Sequence, residues 1–264
     1  MCRLLGVVSS ELTTFGFSLR EAPRSLSALS PSHPDGWGLA VHGTAGWELT
    51  KQAAAAHSDA RFEGAAARAR GDVMVAHIRK RTVGPVSAEN THPFLRGDWV
   101  FAHNGTIGDV DHLAAHTSDV RAREVEGQTD SERLFAFLLT AIDRGMDVDA
   151  ALAGAIDSLI ARPELGAANF LLSDGKTMYA FRFGRTLFVL PRHHGDEVRQ
   201  RRSSPDTLAE LETPWSVRRR AFIVASEKMT DEPFRELAEG TLLRVDAGAD
   251  PKMSVLRGAV ADTA

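Results

Sequence analysis

The sequence holds a single cysteine in 264 residues, and it stands at position 2, in Met1-Cys2-Arg3-Leu4-Leu5-Gly6. Removal of Met1, which a small following side chain permits, would leave Cys2 with a thiol and a free α-amine on one residue. A thiol titrates near ~8.5 and an α-amine at about 7.7 to 8.0, so near neutral pH part of the amine is free to take the thiol proton. That pairing is a nucleophile with its own base. A cysteine in this place equally suits an inert position in a buried first strand, so the decision passes to the residues that would serve it.

An amidase-type nucleophile needs donors aimed at the developing oxyanion, groups that hold the substrate, and a proton for the leaving amine. Asn104-Gly105 sets a side-chain amide beside a backbone N–H, which makes either an oxyanion hole or a plain hairpin turn. Arg79 ends an apolar run and offers a bidentate grip on a carboxylate, or stands as a surface cation. Asp130 falls in the first turn of an expected helix, where the dipole favours its charge, as an anchor for an ammonium group or merely as a first-turn acid. His193-His194 and the scattered His33, His42 and His57 lack the spacing of a catalytic zinc site, and no phosphate-binding glycine loop occurs. The expectation is activity without metal or cofactor.

These residues must be placed by the elements around them. Arg3 to Ser9 reads as a first strand, and Phe15 to Ala28 as an amphipathic segment or short helix. Trp37 to His42 and Trp47 to Lys51 flank Gly43-Thr44-Ala45-Gly46 as a hairpin. Ser58 to Arg70 predicts a helix capped by Gly71, and Val73 to Ile78 a buried strand. Trp99 to Ala102 is the next strand, with His103-Asn104-Gly105 as its closing turn. Thr129-Asp130-Ser131-Glu132 is a capping box that opens a helix carrying Leu134, Phe135, Leu138, Leu139 and Ile142 on one face. A second helix with Leu152, Ile156, Leu159 and Ile160 packs antiparallel to it.

Ala168 to Leu172, Met178 to Phe183 and Leu187 to Leu190 then read as a meander, and His193 to Ser216 as a mobile polar loop. Phe222 to Ser226 and Thr241 to Val245 are the last expected strands, with a loosely held tail beyond Asp246. Strands, two helices and strands again argue for a single α+β domain over residues 1–264, with mainly antiparallel sheets packed face to face and helices outside.

Composition bounds the function classes. With 43% apolar and 25% charged residues the chain is an ordinary soluble globular protein. Its formal net charge of -4 argues against a nucleic-acid partner, and the basic clusters at Arg199 to Arg202 and Arg218 to Arg220 read as solvated surface. One cysteine excludes an intramolecular disulfide and a cysteine-based zinc site. No leader pattern and no run of ~18 apolar residues is present, so a cytoplasmic protein without a membrane partner is expected.

Taken together, Met1-Cys2, Asp35-Gly36-Trp37-Gly38, His77-Ile78-Arg79, Thr91-His92-Pro93-Phe94, His103-Asn104-Gly105 and Thr129-Asp130-Ser131-Glu132 stand in an order that resembles the class II glutamine amidotransferases. Glu89-Asn90 and Asn169-Phe170-Leu171-Leu172-Ser173-Asp174-Gly175 make the chain most similar to the stand-alone YafJ-like group. The resemblance implies an N-terminal-nucleophile (Ntn) hydrolase fold, a four-layer αββα sandwich. It implies Cys2 as nucleophile on the side-chain amide of glutamine, and the Asn104 amide with the Gly105 N–H as oxyanion donors. Arg79 would hold the substrate α-carboxylate and Asp130 its α-ammonium, with Thr82 and His92 lining the pocket.

Lys80 and Arg81 occupy places where many synthase-linked members carry Trp-Ala, which leaves the substrate beyond the γ-glutamyl group open. On this length no ammonia-consuming domain is expected. The expected partners are therefore glutamine or another γ-glutamyl compound and an ammonia-accepting protein. Hydrolysis of a γ-glutamyl peptide or thiol-pathway intermediate, as in ergothioneine-pathway and glutathione-degrading relatives, and a non-catalytic binding subunit are the alternatives.

Overall fold

The computed structural model describes residues 2–145, 147–192 and 219–261. The expected mobile loop from His193 to Ser216, with His193-His194 and Arg199 to Arg202, lies outside them, as does Met1.

Thirteen strands and six helices follow in chain order among the described residues: β1 (Arg3–Thr14), α1 (Leu26–Leu29), β2 (Gly36–Gly43), β3 (Gly46–Gln52), α2 (Ala60–Arg68), β4 (Arg70–Arg79), β5 (Phe94–Arg96), β6 (Trp99–Ile107), α3 (Val110–His116), α4 (Asp119–Ala122), α5 (Asp130–Asp143), α6 (Val148–Ile160), β7 (Gly166–Ser173), β8 (Thr177–Arg182), β9 (Phe188–Arg192), β10 (Ala221–Ala225), β11 (Arg235–Glu236), β12 (Thr241–Asp246) and β13 (Lys252–Arg257). They form two sheets, ordered β11-β9-β10-β1-β4-β2-β3 and β13-β12-β8-β7-β6-β5. Every strand pairing in them is antiparallel.

Alternation along the strands builds three apolar layers. In β1, Leu4 and Val8 face the second sheet while Leu5 and Val7 face the helical side, and in β4 Val73 and Val75 point inward while Met74, Ala76 and Ile78 point out. From the second sheet, Val100, Ala102, Leu171 and Leu243 complete the layer between sheets. Outside the first sheet, Leu19, Leu26 and Phe62 cover its outer face; outside the second, Leu134, Leu138, Leu152 and Ile156 of α5 and α6 pack on Phe101, Phe170 and Phe181. The result is an α+β four-layer αββα sandwich.

Four sequence expectations are corrected. The strand expected to end at Ala102 continues through His103-Asn104-Gly105 to Ile107, because all three pair with Phe170, Asn169 and Ala168 of β7. Gly71 is a β4 residue rather than a helix cap; a Cβ there would lie 2.0 Å from the His42 carbonyl oxygen, so close strand approach explains the glycine. The expected meander breaks after β8, since β9 crosses to the other sheet and pairs with β10. The tail beyond Asp246 is held as β13 on β12.

Candidate functional site

The polar residues of interest sit where the inward-facing apolar rows run out. Cys2 extends the row of Leu4 and Val8, Arg79 that of Val73 and Val75, and Asn104 that of Val100 and Ala102. Asn169 and Ser226 end the rows of Leu171 and of Phe222 and Val224 in the same way. Five polar side chains, on five strands or directly at their ends, are thus directed into one end of the space between the sheets.

Cys2 is half-buried beside the end of β4, its Sγ 3.4 Å from both the backbone N and O of Lys80. Burial pushes the thiol pKa up, while the Lys80 backbone and the Arg79 charge act in the opposite sense. A thiol so placed stays protonated near neutrality unless a base takes its proton as it reacts. Arg3 steadies the segment, donating from Nη1 to the Cys2 carbonyl at 3.0 Å and pairing with Glu227.

Arg79 is buried, and its guanidinium donates to the carbonyls of Pro85 at 2.9 Å and Val83 at 2.8 Å. Two of five N–H groups are thereby used to hold the following loop, and the fork keeps donors for a further acceptor. Burial lowers its pKa, against the raising influence of Cys2 and Asp35. Asp35 accepts from the Arg81 N–H at 2.8 Å, and its own N–H donates to the Arg79 carbonyl at 3.1 Å. Lys80 and Arg81 therefore serve the site through their backbones, whatever their side chains meet.

Asn104 is buried and donates from Nδ2 to the Ser226 hydroxyl at 3.3 Å. Ser226 also accepts from the Leu4 N–H at 3.0 Å, two residues after the thiol, so one oxygen joins β6 to β1. Beside it, Gly105 pairs with Ala168, whose N–H turns away to the Phe183 carbonyl at 2.9 Å. In an antiparallel pair both partners then point their N–H groups outward, so the Gly105 N–H faces the open edge beyond the short β5. A Cβ at Gly105 would lie 1.8 Å from the Ala167 carbonyl oxygen, which reserves the position for glycine. Two residues on, the Ile107 N–H points the same way and meets Asp130 Oδ2 at 2.6 Å. Asp130 is thus buried against the strand that carries Asn104 and Gly105.

Thr82 joins this edge, its hydroxyl 3.5 Å from that of Thr106. His92 does not join it. Its ring is buried between His77 and Phe94, at 4.4 and 4.6 Å between centroids, with neither ring nitrogen hydrogen-bonded. Burial lowers its pKa well below the usual histidine value, and that of His77 to about 3. His103 faces the helical side: Nε2–H donates to the Ala167 carbonyl at 3.1 Å and Nδ1 accepts from the Ser131 hydroxyl at 2.8 Å. A carbonyl only accepts, which fixes this tautomer for the neutral ring.

The loops around the site are braced by Asn90, Glu132 and Asn169. Asn90 donates to the Pro85 carbonyl at 3.2 Å and accepts from Gln128 N at 2.7 Å. The capping box is half made: Thr129 accepts from Glu132 N at 3.3 Å, but the Glu132 carboxylate accepts from Glu126 N, Gly127 N and Arg96 instead of closing back on Thr129. Asn169 accepts from Phe183 N at 2.8 Å and donates to the carbonyls of Arg185 and Thr186, while the Thr186 hydroxyl donates to the Ser226 carbonyl at 3.1 Å. Ser226 reads in the sequence only as the end of an expected strand, because a serine after the wholly apolar Ala221–Ala225 carries no signal of a site role. Among the described residues no cluster of three or more histidine, cysteine or carboxylate side chains could hold a metal, and no helix is long and apolar enough to cross a membrane.

Comparison with known proteins places the chain in a family. Residues 1–260 match the family described as glutamine amidotransferases class-II. The putative glutamine amidotransferase YafJ of Escherichia coli strain K12 is 30% identical over 69% of this chain and 72% of its own length. The gamma-glutamyl-hercynylcysteine sulfoxide hydrolase of Mycobacterium tuberculosis is 29% identical over 74% of this chain and 82% of its own. Among solved structures, a glutamine aminotransferase class-II domain protein from Silicibacter pomeroyi superimposes with a TM-score of 0.65 at 19% identity, covering 96% of this chain and 98% of that one, a likeness of fold.

Proposed function

We propose, for a chain that belongs to the class II glutamine amidotransferases, that residues 1–264 form one amidohydrolase domain in which Cys2 cleaves a γ-glutamyl amide. The observation that carries the reading is the convergence of Cys2, Arg79 and Asn104 at one end of the inter-sheet layer, with Asp130 fixed to the same strand edge through Ile107. A nucleophile, a cation for a carboxylate, a neutral donor for an oxyanion and an anion for an ammonium are the four groups that a γ-glutamyl substrate requires.

Once Met1 is removed, the Cys2 α-amine takes the thiol proton as Sγ attacks the amide carbon. The C–S bond forms, the carbonyl π pair moves to oxygen, and Asn104 Nδ2–H and Gly105 N–H donate to the oxyanion. Collapse breaks the C–N bond, and the α-ammonium of Cys2 returns its proton to the departing nitrogen, which leaves as ammonia or amine. Water, deprotonated by the same amine, then attacks the γ-glutamyl thioester, releasing glutamate and restoring the thiol. Arg79 holds the α-carboxylate, Asp130 the α-ammonium, and Thr82 lines the wall, while His92 packs on His77 and Phe94. No metal or cofactor takes part in these steps, and cytoplasmic action with an ammonia-accepting partner fits glutamine as substrate.

A second reading takes a γ-glutamyl peptide or thiol-pathway intermediate as substrate. The similarity to a named γ-glutamyl hydrolase over 74% of the chain favours it. A panel of glutamine, γ-glutamyl dipeptides and γ-glutamyl thiols, scored for glutamate release by the Met-processed protein, separates the two. Preference for glutamine supports the first reading and preference for larger amides the second; no release from any of them contradicts both and favours a non-catalytic binding subunit.

A further inference from the structure

We propose that Ser226 is a positioning residue for the reaction, holding the oxyanion donor Asn104 and the nucleophile-bearing start of β1 through one hydroxyl. The inference rests on the roles proposed above for Cys2 and Asn104. Its own basis is geometric: Ser226 Oγ accepts from Leu4 N at 3.0 Å and from Asn104 Nδ2 at 3.3 Å, and both serine and asparagine are buried. The Ser226 N–H in turn donates to the Leu4 carbonyl at 3.1 Å, and its carbonyl accepts from Thr186. With its backbone held on both sides, the serine has little freedom to move, so its oxygen is a fixed point for the amide.

An asparagine amide rotates about its terminal torsion over a broad well unless a partner fixes its plane. Nδ2 carries two hydrogens. Ser226 takes one, which sets the plane and leaves the other for the oxyanion. Because the same oxygen binds Leu4, a shift of β1 that carries Cys2 also carries the acceptor that orients Asn104. Nucleophile and donor are thus set by one atom, without Ser226 touching the substrate.

A double-mutant cycle on glutamate release tests this. In the wild-type background Ser226→Ala is expected to lower kcat about tenfold, less than the hundredfold or more of losing an oxyanion donor outright, with KM within about twofold. Ser226→Thr, which keeps the hydroxyl, is expected to recover most of the rate. In an Asn104→Ala background Ser226→Ala is expected to lower kcat clearly less, about two- to threefold, since the amide it orients is gone and only its hold on Leu4 remains. A Ser226→Ala protein with lower Tm but unchanged kcat, or equal rate losses in both backgrounds, overturns the inference. Should Ser226→Ala not fold, Ser226→Cys carries the same cycle with a weaker acceptor of similar shape. Wild-type protein that releases no glutamate sinks the underlying reading instead, so the two failures are told apart.

Discussion

Cys2 Sγ lies 3.4 Å from the backbone N of Lys80, the residue directly after the buried Arg79. Burial raises the thiol pKa more than the Lys80 N–H and the Arg79 charge lower it. A thiol whose acid form is favoured reacts through its thiolate fraction, which grows as pH rises toward the pKa. Alkylation of Cys2 by iodoacetamide, followed by mass spectrometry, is therefore expected to accelerate steadily from pH 7 to pH 9. A rate that is already flat at pH 7 would show a depressed thiol pKa and contradict this environment.

Arg79 bonds two loop carbonyls, at Val83 and Pro85, and a lysine in its place would keep charge but lose the fork. Arg79→Lys is expected to raise KM for a γ-glutamyl substrate by about tenfold or more, the order of one charge-assisted hydrogen bond, with kcat changed much less. An unchanged KM in steady-state kinetics would remove Arg79 from substrate binding.

Gly105 faces the Ala167 carbonyl at a distance that leaves no room for a methyl group. Gly105→Ala must push β6 from β7 and is expected to cost about 3 kcal/mol, the upper range for overpacking, along with activity. Chemical denaturation of the variant measures it; a loss below about 1 kcal/mol would mean the strands part easily here.

The buried histidines make stability depend on pH. His77, His92 and His103 all have pKa values lowered by burial, His77 to about 3, whereas the unfolded chain protonates them near ~6.5. Below that value the unfolded state binds more protons, so stability falls as pH drops, by about 1.4 kcal/mol per pH unit for His77 between its unfolded value and about 3. Urea unfolding at pH 7, 6 and 5 is expected to show this decline, with a shallower slope in His77→Gln. An identical slope in the variant would exclude His77 as a contributor.

The helices and most strands were legible because their apolar spacing is regular: α5 and α6 bury the face that Leu134, Leu138, Leu152 and Ile156 mark out. Asn104-Gly105 misled as a turn because local propensity cannot report a partner strand, and β7 lies more than sixty residues away in the chain. β9 was misassigned for a related reason: adjacency along the chain predicts pairing, but here it crosses to the other sheet. The order of site motifs was readable from residue types, whereas Ser226 was not, since a serine after a strand has no chemical signature until Leu4 and Asn104 are seen to share its oxygen. His92 was grouped with the pocket by motif, yet its recorded contacts are with His77 and Phe94.

The central claim is that Cys2 attacks a γ-glutamyl carbonyl, and substitution of that one sulfur tests it most directly. Glutamate release from the best substrate of the γ-glutamyl panel should be measured for Met-processed wild type and for Cys2→Ala under the same conditions. The account predicts release by the wild type and a loss of at least about a thousandfold in Cys2→Ala, as expected when a covalent nucleophile is removed. Release that persists undiminished in Cys2→Ala would contradict it.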